Sequence, residues 1–125
     1  LTPAGGFGSV PDMATKQILI AARALLVARG RHAKRTYFDH KTGCFCSTGA
    51  IGRAAGLDFS ELFSDMILRR GADALTALWS ALPDEYKRKN DTPSDWFRWE
   101  DIIYFNDHND FDVVITAFDR AIESF

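Results

Sequence analysis

The sequence has no apolar run longer than the five residues Ile18 to Ala22, far short of the ~20 that a membrane-spanning helix needs. No charged-then-apolar leader with a cleavage site is visible, so the chain is read as soluble and cytoplasmic, with no membrane partner. Cysteine is nearly absent. The two present, Cys44 and Cys46, are too close in sequence to bridge without strain, which excludes a disulfide framework and predicts free thiols. They also lack the second ligand pair that a structural zinc site uses; Cys44, Cys46, His40 and His32 therefore do not read as a metal set. Phosphate-cradling glycine loops, a nucleophile elbow and a metalloprotease helix are all missing. Gly5-Gly6-Phe7-Gly8 follows no strand, and Asn106-Asp107-His108-Asn109-Asp110 fails the calcium-loop pattern because Phe111 occupies position five and no glycine follows it. No cofactor is expected on these grounds.

What remains is an ordinary globular composition in 125 residues, 46% hydrophobic and 26% charged, with ten Phe, three Tyr and three Trp. That is enough for one aromatic-rich core. Charge is unevenly placed: residues 1–53 carry eight Lys/Arg against two acids, and residues 54–125 seven against fifteen. The net charge of -2 thus hides a basic first half and an acidic second half, which folding either separates into two faces or neutralises.

Residues 1–11 read as a flexible tail and 12–125 as a single helical domain. Asp12 is expected to cap a helix to about Arg29, with Ile18, Ala21, Ala22, Leu25 and Leu26 inward and Gly30 as the stop. Thr36-Tyr37-Phe38 and Cys44-Phe45-Cys46 flank a polar turn ending in Gly43, a hairpin signature. Ser47 or Thr48 should cap a small-residue helix ending at Gly56, its glycines compensated by close packing. Helices are expected from Ser60 to Gly71, with Leu62, Phe63, Met66 and Ile67 as apolar face, and from Ala72 to Leu82, stopped by Pro83. A surface loop over 83–93 leads to a helix capped by Thr92 or Ser94, and Asp110 caps a last one carrying Val113, Val114, Ala117, Phe118, Ala121 and Ile122. Trp79, Trp96, Trp99 and Tyr104 are placed in the core. The class is mainly α: a single compact domain of five or six helices with one short β-hairpin.

Three features could carry function. Cys46 falls at a helix N-terminus, where dipole and free amides favour a thiolate; with His40, His32 or His108 nearby, or Asp107 as a base, it could act as a nucleophile, and otherwise it is a small core residue. Arg29, Arg31, Lys34, Arg35 and Lys41, with His32, Tyr37 and Phe38 among them, could contact phosphates and stack bases, or form a solvated connector. Asn106 and Asp107 are read as satisfying backbone groups where one helix gives way to the next.

Cys46-Ser47-Thr48-Gly49-Ala50-Ile51 resembles a Cys-x-x-Gly-Ala-Leu/Ile motif. Phe105-Asn106-Asp107, followed by the helix of Val113, Val114, Ile115 and Phe118, resembles a Trp-Asn-Asp motif with its C-terminal helix, Phe105 standing where Trp is usual. The pair is similar to a family of small uncharacterised domains of bacteria, notably actinomycetes, and their phages. The resemblance implies an architecture and no mechanism. The leading expectation is a non-enzymatic protein-interaction or regulatory domain that binds another protein or itself. The alternatives are a nucleic-acid-binding module using the basic 29–41 region and a Cys-dependent enzyme using Cys46.

Overall fold

The computed structural model describes residues 9–87 and 95–125, and side chains from 13–87 and 98–125. Among them are six α-helices and one two-stranded hairpin, as the sequence pattern predicts, and two 3-10 turns that it does not.

Helix α1 runs Ser9–Arg29. It starts three residues before Asp12, because Pro11 falls in its first turn, where a missing N–H breaks no helical bond. Residues 9–11, expected in the tail, are therefore helical; the tail's residues 1–8 lie outside the described residues. Leu19, Ala22 and Leu26 are fully buried, while Ala21, expected inside, is exposed. Gly30 (φ +69°) ends the helix, its amide donating to the Leu26 and Val27 carbonyls. Arg23 is ion-paired with Asp119 at 2.6 Å, tying α1 to the last helix.

The hairpin pairs β1 (Phe38–Asp39) with β2 (Cys44–Phe45), Phe38 opposite Phe45 and Asp39 opposite Cys44. Two strands are marginal alone; here Phe38, Phe45 and the exposed Phe59 form an aromatic cluster, with Phe38–Phe45 and Phe38–Phe59 centroids both 4.8 Å apart. Helix α2, Ser47–Ala54, follows. Neither Ser47 nor Thr48 caps it. The N-cap is Cys46, whose sulfur accepts from the Gly49 amide at 3.3 Å.

The helix expected from Ser60 is broken. Asp58 and Glu61 cap each other reciprocally (Asp58 N to Glu61 Oε1 and Glu61 N to Asp58 Oδ1, both 3.0 Å), and Ser64 Oγ bonds the Glu61 carbonyl. These local bonds compete with helix propagation. The chain makes a 3-10 turn at Glu61–Phe63 and begins α3, Met66–Arg70, only afterwards. Phe63 is thereby 53% exposed rather than part of an apolar face. Gly71 separates α3 from α4, Ala72–Ala81. After Pro83 a second 3-10 turn, Asp84–Tyr86, folds Tyr86 back onto Phe105 at 5.0 Å.

Helix α5 is Asp95–Asp107; its expected caps, Thr92 and Ser94, and the Trp96 side chain lie outside the described residues. Trp99, Ile102 and Phe105 are buried, and buried Asp101 accepts from Trp79 Nε1 at 2.9 Å. Tyr104 is exposed and stacks on His108 instead of entering the core. Helix α6, Phe111–Glu123, buries Val114, Ala117, Phe118 and Ala121 and leaves Val113 outside. Asp110 is its N-cap, but through its backbone carbonyl, which accepts from the Val113 and Val114 amides; its carboxylate makes no capping bond.

Candidate functional site

The chemistry-bearing residues converge where the end of α5 meets the connector after α1. Asn106, 1% exposed, is the hub. Its Oδ1 accepts from the Ser47 amide (2.9 Å) and Ser47 Oγ (2.8 Å). Its Nδ2 donates to the Ala33 carbonyl (2.9 Å) and Asp107 Oδ1 (3.0 Å). A side-chain amide has two donors and two acceptor sites, and all four are used. His32 Nε2 donates to the Asn106 carbonyl at 2.8 Å, leaving a buried Nδ1 with no hydrogen-bond partner. Asp107 Oδ1 also accepts the Arg35 amide at 3.1 Å. That bond holds Arg35 in a left-handed conformation (φ +66°), which a non-glycine residue adopts only with such support.

Asn106 and Asp107 therefore do satisfy backbone groups, but those of two distant segments. Their joint effect is to tie the connector and the start of α2 to the end of α5. Between them lies a pocket of about 260 Å³, walled by Tyr37, Phe63 and Ile103, with Cys46 and Asp107 also in its lining and Arg35 beside them. Tyr37 is held by Phe63 (5.6 Å) and Trp99 (6.0 Å).

A family model matches residues 10–124. The chain belongs to DUF6197, a family of unknown function. No curated protein and no solved structure matches it. In this DUF6197 member both stretches singled out in the sequence, Cys46 to Ile51 and Phe105 to Asp107, contribute to the pocket or its frame.

Cys46 and Asp107 thus share one site. The histidines do not join them: His40 packs against Phe38 in the hairpin turn, His32 bonds Asn106, and His108 bonds the Tyr104 carbonyl. Among the described residues no histidine hydrogen-bonds the Cys46 thiol, and no group of three or more His, Cys, Asp or Glu side chains is close enough to hold a metal ion. Cys46 is 5% exposed. Burial pushes it up, outweighing the hydrogen bonds with Thr48 Oγ (3.1 Å) and the Gly49 amide; the charge of Asp107 adds to the push. The helix-end dipole invoked from the sequence is overridden by desolvation. Tyr37 is raised too, first by burial and then by Cys46.

Iodoacetamide at pH 7.5 is accordingly expected to leave Cys46 unmodified in the native DUF6197 domain and to label it on unfolding in urea, read by peptide mass. A raised thiol also links stability to pH. The protonated form is favoured by folding, so its contribution is whole below the unfolded value of about 8.5 and is lost as pH climbs from there through the higher folded value. Urea midpoints should fall between pH 7 and 9.5, and Cys46→Ser should flatten that fall.

Arg29, Arg31, Lys34, Arg35 and Lys41 are all exposed. Tyr37 and Phe38 are half-buried in the aromatic packing, the Arg29 guanidinium lies against the hairpin turn at Gly43, and Arg35 lines the pocket with Tyr37. Sequence reasoning missed Phe63 and Ile103 as pocket walls.

Proposed function

We propose that this domain is a non-enzymatic protein-interaction module, and that the pocket between the connector and α5 receives one large apolar side chain from a partner protein. The observation that carries the reading is the pocket itself: apolar walls at Tyr37, Phe63 and Ile103, Phe63 exposed at its edge, and a volume of about 260 Å³. Small-molecule sites start at about 300 Å³. Binding hot spots, by contrast, are single anchors that fill a desolvated pocket. The protonated, imidazole-free thiol supports a lining role for Cys46 over nucleophilic catalysis. In the bacterial or phage setting of the resembled motifs, such a module would serve as an accessory or regulatory subunit.

The test uses side-chain mimics. N-acetyl-tryptophanamide and N-acetyl-leucinamide, titrated into the labelled protein by NMR, are expected to bind with millimolar affinity, about -4 kcal/mol, and to shift the amides of Tyr37, Phe63 and Ile103. Phe63→Ala, at an exposed position, should weaken binding at least fivefold with an unchanged melting temperature. Absence of pocket shifts at 50 mM mimic would sink the reading.

A further inference from the structure

Helix α1 is apolar on both of its sides. Its inner face buries Leu19, Ala22 and Leu26 in the core. Its outer face carries Met13, Gln17, Ile20, Ala24 and Val27, all exposed. Met13, Ile20 and Val27 are 60%, 40% and 46% exposed. A helix on a protein surface ordinarily turns charged and polar residues outward. Here Gln17 is the one polar residue among those exposed from Met13 to Ala28. A helix that is apolar all round is a covered helix. No helix among the described residues is long and apolar enough to cross a membrane, so a membrane span does not account for this face.

The spacing shows what fits it. Met13, Gln17, Ile20, Ala24 and Val27 succeed one another at alternating steps of four and three, the pattern of a seam between two paired helices. The seam is also complementary to itself. A two-fold axis passing beside Ile20, perpendicular to the helix, sets Ile20 against Ile20, Met13 against Val27 and Gln17 against Ala24 of a second copy. Every unlike contact then occurs twice, as an interface between identical surfaces requires.

Charge agrees with that register. Lys16 and Arg23 are two turns apart and flank the seam on one side. Arg23 is held by Asp119 Oδ1, yet the Asp119 side chain is still 44% exposed. Lys16 has no ion-pair partner among the described residues. The antiparallel register brings Lys16 of one copy level with Ala24 of the other, next to Asp119. A parallel register would align the two helix dipoles and set Lys16 level with Lys16.

We infer that α1 is the interface of an antiparallel homodimer, its outer face packed on the same face of a second copy and Lys16 of each chain reaching Asp119 of the other. The face is about 22 Å long at the α-helical rise. One helix pair of that length falls at the small end of specific interfaces, below about 1,200 Å² in total, so the dimer is reversible and micromolar. No residue of the face lines the pocket beside Cys46, and either assignment can fail alone.

Sedimentation equilibrium of the full chain from about 5 to 500 µM tests it. Wild type is expected to pass from monomer to dimer across that range. Ile20→Glu places two carboxylates on the axis and should weaken association at least about thirtyfold, with the melting temperature of the dilute protein unchanged because position 20 is exposed. Lys16→Glu should weaken association about fivefold, and Gln17→Leu, which completes the apolar seam, should tighten it. Disulfide formation reads the orientation. Chains carrying Met13→Cys mixed with chains carrying Val27→Cys should cross-link to each other on mild oxidation, and Met13→Cys alone should not; wild type, whose own cysteines are buried, is the blank. A wild-type chain that stays monomeric at the highest concentration, or an Ile20→Glu variant that associates as wild type does, would overturn the dimer. Cross-linking of Met13→Cys to itself would overturn the antiparallel register.

Discussion

Asn106→Ala is expected to remove about 3–5 kcal/mol of stability, because it strands a buried amide at Ser47 and a buried carbonyl at Ala33 while deleting four hydrogen bonds. That is a large share of the 5–15 kcal/mol typical of a domain, and thermal melting should fall by about 15 °C or more. A second variant separates lost bonds from lost volume. Asn106→Asp keeps the shape and the acceptor but removes the donor to Ala33 and sets a second carboxylate against Asp107. Burial and the like charge raise such a carboxyl, so its protonated form supports the fold at low pH and that support is lost as pH rises toward neutrality. Asn106→Asp should therefore be close to Asn106→Ala at pH 7 and recover part of the difference near pH 4.5. Equal urea midpoints for wild type and Asn106→Ala would remove the hub from the account.

Gly49→Ala is expected to be as damaging for a different reason. A Cβ at position 49 would overlap the Tyr37 carbonyl oxygen and lie 2.9 Å from its carbon. The obstacle is backbone, not a yielding side chain. That carbonyl also accepts the Cys46 amide at 3.0 Å, so it cannot retreat without opening the edge of the hairpin. The cost should be about 3–5 kcal/mol, at the severe end for one substitution. Gly30→Ala is the control. A Cβ there meets nothing within 4 Å, and only its positive φ is penalised, by about 1 kcal/mol. If the two variants melt together, close packing is not the reason for glycine at 49.

These two positions also mark where sequence reading succeeds and where it stops. The hairpin was legible because β-formers bracket a turn ending in Gly43, and α6 because Val114, Ala117, Phe118 and Ala121 recur at helical spacing. The need for close packing at Gly49 could be read from its cost in a helix, but not the contact on Tyr37. The Cys46 cap was hidden because Ser47 and Thr48 are better capping types; their side chains are engaged by Asn106 and by the thiol itself. The break after Ser60 was hidden because the Asp58–Glu61 pair reads equally as the start of a helix. Tyr104 follows helical spacing yet faces out, since Asp101, Ile102 and Phe105 take the inward positions. The pocket was beyond reach altogether. Its walls come from the connector, the 3-10 turn and α5, and no periodicity within one element reports on a space between three.

The hub also imposes an order on synthesis. Ala33 and Ser47 precede Asn106 by 73 and 59 residues. At translation rates of 5–20 residues per second, Ser47 waits about 3–12 s for its partner to be made. During that interval the hairpin and α2 have left or are leaving the ribosome with the connector untethered and its polar backbone satisfied by water. The first half of the chain is thus an open form of the domain, and arrival of a single asparagine 59 residues after Ser47 closes it.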